Sequence, residues 1–291
     1  MENSITSVKN LRKEFITKLS GFYHEEEITQ MIYMLFEEYL GWSKTKVHLS
    51  YNSEIPQTVL NLFTKALNDL CTGKPIQYLL GKAWFNGFLL TVDPRVLIPR
   101  PETEELCVII GNSFKDNQNQ VLSILDVGAG SGCISIDLKK RFPDARVTGI
   151  DSSSDALDIA LKNAHENHCE IDLFQSDILC RKDWKIFGRF NLIVSNPPYV
   201  LESEKKLMNL NVIAFEPSQA LFVTDNDPLQ FYRAIADFAG GHLFHPGHLF
   251  FEINEQFGKD IVDLLLSFGF SNVEILRDIH GKERFVRGNL V

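Results

Sequence analysis

The sequence predicts an α/β protein in which a doubly wound, mostly parallel sheet of seven strands follows a small all-helical domain. Three observations predict it. From about residue 105 onward, short runs rich in Val, Ile and Leu alternate with helix-like segments, the pattern of a sheet covered by helices on both faces. The first 75 residues instead place apolar side chains at three- and four-residue spacings. A glycine cluster directly follows the first β-like run, where open α/β sheets bind ligands.

The helical part comes first. Leu11, Phe15, Leu19 and Phe22 form one stripe, and Ile28, Met31, Ile32, Leu35, Phe36, Tyr39 and Leu40 a second, with Gly41 placed as a C-terminal cap. Pro56 can open a third helix carrying Val59, Leu60, Phe63, Ala66, Leu67 and Leu70, with Gly73 as its stop. Next, apolar runs flank Asn86-Gly87, a hairpin signal. The expected division is a helical domain over 1–75, a hairpin linker over 76–100 and a sheet domain over 101–291. The sheet strands are expected at 121–127, 146–150, 171–175, 191–194, 248–253, 272–276 and 284–287. Helices are expected over 154–167 and 227–239, and 117–120 reads as a polar loop or frayed helix end. The last two strands are separated by a short turn at His280-Gly281, too short for a parallel crossover, so the seventh strand should run antiparallel to its neighbours.

Composition narrows the function. The 291 residues carry a net charge of -9. Residues 1–85 hold nine basic and nine acidic side chains, so the whole acidic excess lies in residues 86–291. That balance disfavours direct binding of duplex nucleic acid, which wants a basic face. The five cysteines show neither a C-x-x-C pair nor a ligand-like spacing with His, so reduced, buried thiols and no metal are expected. The opening residues lack the apolar run of a secretory leader, and no stretch reaches the ~18 apolar residues of a membrane span. The expectation is a cytoplasmic, monomeric enzyme.

Two loops carry the chemistry. The run Ile124–Val127 enters Gly128-Ala129-Gly130-Ser131-Gly132, where missing Cβ atoms let a ligand approach the backbone. The position a dinucleotide fingerprint reserves for its third glycine is Cys133, so the loop fits a G-x-G-x-G methyl-donor site better than a dehydrogenase. The second run ends in Asp151, which can take both hydroxyls of a ribose or simply cap the following helix. The third ends in Ser176-Asp177-Ile178, where Asp177 can accept from an adenine amino group and Ile178 can pack on its ring. Gly128 to Gly132, Asp151, Asp177 and Ile178 are therefore the candidate contacts for S-adenosylmethionine, with S-adenosylhomocysteine as product.

The fourth run enters Asn196-Pro197-Pro198-Tyr199. An amide or exocyclic amine nitrogen is a poor nucleophile, because its lone pair is delocalised. The Asn196 side-chain oxygen and the Pro197 carbonyl can accept its two N–H hydrogens. The prolines hold both acceptors in place before substrate arrives. Tyr199 can cover the planar amide. Asn196, Pro197 and Tyr199 are the catalytic and substrate-binding candidates.

With these motifs on view, the chain resembles the glutamine methyltransferases of peptide chain release factors. The resemblance spans roughly residues 75–287. It rests on Pro75-Ile76-Gln77-Tyr78, Leu97 to Glu104, the loop Asp126–Gly132, Ile193 to Tyr199, Phe215-Glu216-Pro217, Glu252, Asp278, Gly281 and Arg284. It implies a Rossmann-like class I methyltransferase domain in which Asn196 also contacts the cofactor and Pro198 joins Asn196, Pro197 and Tyr199 in contacting the substrate. It also implies methylation of the glutamine in the Gly-Gly-Gln motif of class-I release factors, recognised through the helical domain. Val127 and Ala129 stand where Leu and Thr are common. The same Asn-Pro-Pro-Tyr serves two alternatives, a glutamine methyltransferase of a ribosomal protein and a DNA adenine-N6 methyltransferase. Arg100, Glu102 and Glu104 form either a solvated helix start or a wall of the substrate channel. Glu216-Pro217 can brace the active-site loop, and His280 reads as a turn residue.

Overall fold

The computed structural model describes residues 6–115 and 121–291, so the polar stretch 117–120 lies outside the described residues. The chain forms two compact units, one of residues 1–81 with 209–215 and one of 82–208 with 216–291.

In the first unit, helices α1 (Val8–Leu19), α2 (Glu25–Leu40), α3 (Lys44–Leu49), α4 (Gln57–Cys71) and α5 (Ile76–Leu80) enclose a core of their own. Phe36, Phe63 and Phe15 sit at its centre without exposure, with ring centroids 4.7 Å apart for the first pair and 6.3 Å for Phe15 and Phe63. The stripes explain this packing, because residues three and four apart share a helix face. Gly41 ends α2 at φ 64°, a conformation glycine adopts without steric cost. Pro56 precedes α4 as its N-cap, one position outside the helix it was expected to open. Helix α3 was not expected; it is one short, polar turn and a half with Ser43 as its cap. Residues 209–215 return to this unit, where Asn211 Nδ2–H donates to Tyr23 OH at 3.2 Å.

The second unit begins with the expected hairpin, Lys82–Phe85 paired with Phe88–Thr91. Asn86 (φ 42°) and Gly87 (φ 85°) both take the left-handed region at its tip, as a two-residue hairpin turn requires. The hairpin packs on the sheet unit: the Thr91 N–H donates to Asn163 Oδ1 at 2.7 Å.

The sheet strands are β1 (Ser123–Val127), β2 (Arg146–Asp151), β3 (Asp172–Gln175), β4 (Phe190–Ser195), β5 (Leu243–Glu252), β6 (Ser271–Arg277) and β7 (Glu283–Leu290). Their order across the sheet is β6-β7-β5-β4-β1-β2-β3. β1, β2, β3, β4 and β5 pair in parallel, while β7 runs antiparallel to both β5 and β6. This is the doubly wound order with one reversed strand wedged between the fifth and sixth. Helices α6 (Pro101–Ser113), α7 (Cys133–Arg141), α8 (Ser154–Glu166), α9 (Gln230–His242) and α10 (Gly258–Ser267) complete the layers. The reversal of chain order between β1 and β4 places their carboxyl ends side by side, the crevice where such sheets bind ligands. All five cysteines are free, and Cys107 alone among them is fully buried. Among the described residues, no helix is long and apolar enough to cross a membrane.

Candidate active site

One cleft opens at the carboxyl ends of β1, β2, β3 and β4, with about 1070 Å³ of space counted out to its mouth. Gly128, Ala129, Gly130 and Ser131 line it from β1, Asp151 from β2, and Asp177 and Ile178 from β3. Asn196, Pro197 and Pro198 line it from β4. Gly132 and Tyr199 do not.

The glycine turn is built by its backbone. The N–H groups of Gly128 and Ala129 both donate to the Ile150 carbonyl, at 2.8 and 2.9 Å. Gly128, Gly130 and Gly132 have φ of 81°, 55° and 80°. A Cβ at Gly128 would meet no described atom within 4 Å, so its missing side chain leaves space in the cleft. Gly132 differs, because a Cβ there would lie 3.2–3.3 Å from Ala160 on α8. It serves helix–loop packing. Gly132→Ala should cost about 1–2 kcal/mol from the left-handed backbone alone. Calorimetry should then show a melting temperature roughly 2–8 °C lower.

Asp151 braces the turn. Its Oδ2 accepts from the Gly130 N–H and its Oδ1 from the Ser153 N–H, both at 2.9 Å. Ser153 caps α8 through the Ala156 N–H, so the cap role open to Asp151 belongs to Ser153. Burial pushes the Asp151 carboxyl above its ordinary value, against these backbone donors. Asp177 Oδ1 accepts from the Leu179 N–H at 2.9 Å, which leaves Oδ2 for other partners. Ser176 Oγ is buried at the cleft and meets no partner among the described residues. An unsatisfied buried hydroxyl, an open glycine turn and two carboxylates suit a ligand rich in hydroxyl and amino donors. That donor set fits the nucleoside of S-adenosylmethionine.

At the end of β4, Ser195 Oγ–H donates to the Val127 carbonyl at 2.6 Å, tying the chemical loop to the glycine strand. The Asn196 Nδ2–H donates to Thr103 Oγ1 at 3.0 Å. Tyr199 OH donates to Glu252 Oε1 at 3.0 Å, and its ring packs on the sheet core. Asn254 Nδ2–H holds the Tyr199 carbonyl at 3.2 Å. Glu216 Oε2 accepts from the Ile98 N–H at 3.1 Å, and Oε1 pairs with Arg100 Nη2 at 2.6 Å. Glu216 therefore braces the 97–100 segment. Arg100 lines the cleft, whereas Glu104 faces elsewhere and accepts from the Asn86 N–H at the hairpin tip. His280 lies in the β6–β7 turn, its N–H donating to Asp278.

Asn163 escaped the motif reading, while Thr103 and Ser176 lie within the quoted runs but carried no assigned role there. Asn163 Nδ2–H donates to the carbonyls of Ser131 and Thr91, each at 2.9 Å. It had a signal: an amide within the buried stripe Ala156, Ile159, Ala160 and Ala164 needs a partner. Among the described residues, no group of three or more His, Cys, Asp and Glu is placed to hold a metal.

Two buried carboxyls are pushed up to about 7, Asp126 and Glu252, each chiefly by burial. Asp126 Oδ2 accepts from Ser135 Oγ–H at 2.6 Å, while Oδ1 meets no partner among the described residues. A raised folded value means that the folded state binds protons the unfolded chain has released. Between the ordinary carboxyl range and about 7, stability therefore falls as pH rises. Melting temperature should be higher near pH 6 than near pH 8, and Asp126→Asn should shrink that difference.

Comparison with known proteins matches this geometry. The family described as methyltransferase small domain matches residues 112–221, and the PrmC N-terminal domain matches residues 10–81. A crystal structure of a methyltransferase from Pyrococcus furiosus shares the fold at TM-score 0.50 and 15% identity, over 79% of this chain and 98% of that one. The release factor glutamine methyltransferase of Bacteroides thetaiotaomicron is 38% identical, over 93% of this chain and 96% of its own. That of Flavobacterium psychrophilum is 41% identical over 97% of this chain and 99% of its own. With the methyltransferase fold, the glycine turn and the Asn-Pro-Pro-Tyr loop in one unit, and identity at that level over nearly the whole length, this chain belongs to the release factor glutamine methyltransferase family.

Proposed function

We propose that the chain transfers the methyl group of S-adenosylmethionine to the side-chain nitrogen of the glutamine in the Gly-Gly-Gln motif of class-I release factors. The observation that carries this reading is the single cleft that gathers the glycine turn, Asp151, Asp177 and Asn196-Pro197-Pro198. When bound, S-adenosylmethionine supplies an electrophilic methyl on a sulfonium sulfur.

The chain's residues do the rest. The open turn at Gly128 and Gly130 takes the donor's backbone-facing edge, and Asp151 takes the ribose hydroxyls. Asp177 and Ile178 take the base. Asn196 Oδ1 and the Pro197 carbonyl accept the two N–H bonds of the substrate amide. These bonds strengthen as positive charge grows on that nitrogen, which is stabilisation specific to the transition state. Tyr199, anchored on Glu252, holds the far end of the loop. The alternatives read from the same motif, a ribosomal-protein glutamine and a DNA adenine, gain no comparable support from the two full-length relatives.

Mass spectrometry of a purified class-I release factor, incubated with enzyme and S-adenosylmethionine, tests the reading. One added methyl on the Gly-Gly-Gln peptide is expected. An unmodified peptide, or methyl on DNA instead, would overturn it. The helical unit is assigned to release-factor recognition. Removing residues 1–73 should raise KM for the factor at least about tenfold, with cofactor affinity within about threefold of the full chain. Light scattering checks the monomer.

A further inference from the structure

An asparagine amide can present either its oxygen or its nitrogen to a cleft, and only the oxygen can accept from a substrate N–H. What decides the orientation of Asn196 is a chain of hydrogen bonds inside the second unit. Asn196 Nδ2–H donates to Thr103 Oγ1 at 3.0 Å, and Thr103 Oγ1–H donates to Glu252 Oε2 at 2.7 Å. Tyr199 OH donates to the other oxygen, Oε1, at 3.0 Å. Thr103 and Glu252 are 2% and 1% exposed, so water offers no substitute partner. A hydroxyl has one proton. With that proton given to a carboxylate, the Thr103 oxygen can only accept, so the atom facing it must be the Asn196 nitrogen. Oδ1 is thereby turned the other way.

We propose that Glu252 is a positioning residue, acting through Thr103 to hold the Asn196 amide with Oδ1 presented to substrate. The proposal rests on the reading of Asn196 given above. A buried carboxylate is costly unless its neighbours satisfy it, and here both satisfying hydroxyls belong to the site. Other groups face Glu252 from each packed element. Tyr232 OH on α9 donates to its backbone carbonyl at 3.2 Å, Glu102 on α6 raises its carboxyl and Arg284 on β7 lowers it. Burial outweighs the lowering and leaves the carboxyl near 7. Once protonated, Glu252 can donate to Thr103, whose own proton is then released toward Asn196, and the amide loses its reason to keep one orientation. Turnover should therefore fall as pH drops through about 7.

The test is the rate and pH profile of methylation of purified release factor, from about pH 6 to about pH 8.5. Thr103→Val and Glu252→Gln should each lower kcat at least about tenfold, with KM and calorimetric S-adenosylmethionine affinity within about threefold. Thr103→Ser should restore most of the rate. The acid limb near pH 7 should vanish in Glu252→Gln. In an Asn196→Ala background, Thr103→Val should add no further loss. Wild-type kcat in Thr103→Val, a limb that survives Glu252→Gln, or losses that multiply with Asn196→Ala would each overturn the proposal. If Thr103→Val does not fold, Glu252→Gln and its pH profile decide. A slow Asn196→Ala beside unaffected Thr103 and Glu252 variants removes the positioning role alone. A wild-type rate in Asn196→Ala removes the underlying reading and this proposal with it.

Discussion

Asn196→Ala lowers the methylation rate by about 10²-fold or more, the scale for losing one preorganised polar contact to developing charge. The reason is geometric. Asn196 follows β4, whose last residue, Ser195, is tied to Val127 by a 2.6 Å hydrogen bond, and two prolines follow it. Its amide is therefore held before substrate arrives, with no reorganisation at the moment of reaction. The alanine variant keeps the backbone and the Pro197 carbonyl, so cofactor affinity should change far less than the rate. Single-turnover measurement with release factor, beside calorimetric titration of S-adenosylmethionine, separates the two. A rate within threefold of wild type would remove Asn196 from the transition state.

Asp151→Ala raises the Kd for S-adenosylmethionine at least about tenfold, the size expected for a charged hydrogen bond of about 1.5–3 kcal/mol. Two effects combine. The variant loses the acceptor assigned to the ribose hydroxyls. It also releases the Gly130 N–H, which Asp151 Oδ2 holds at 2.9 Å, so the glycine turn loses part of its shape. Asp151→Asn keeps an acceptor and should fall between. Calorimetric titration decides the matter, and affinity within threefold of wild type in the alanine variant would show that the carboxylate takes no part in binding.

The elements legible in the sequence share one property: their signal is local. The stripe from Ile28 to Leu40 needs only helical periodicity and a cap, and α2 ends at Gly41. Asn86-Gly87 needs only two residues that tolerate positive φ, and the hairpin turns there. The reversed direction of β7 followed from a linker too short for a crossover, and β7 pairs antiparallel on both sides. Helix α3 was missed because six mostly polar residues carry too little periodicity to register.

The site divides along the same line. Chain order alone brought the glycine turn, Asp151, Asp177 and the Asn-Pro-Pro-Tyr loop to attention, since each follows a β-like run and such runs end on one edge of a parallel sheet. Partners across the fold were another matter. Thr103 and Glu252 lie 149 positions apart and meet at 2.7 Å, and Glu216 reaches Arg100 over 116 positions. Asn163 joins the hairpin to the glycine turn from 72 and 32 positions away.

From its sequence alone, then, this chain had its strongly periodic helices, its seven sheet strands and the composition of its two chemical loops, because backbone periodicity and turn chemistry act over a few residues. Which way the Asn196 amide faces, which carboxyl is buried beside it and what braces the glycine turn were decided only in three dimensions. Burial strips water from polar groups and obliges each to find a partner wherever the fold has brought one, and separation along the chain carries no record of that choice.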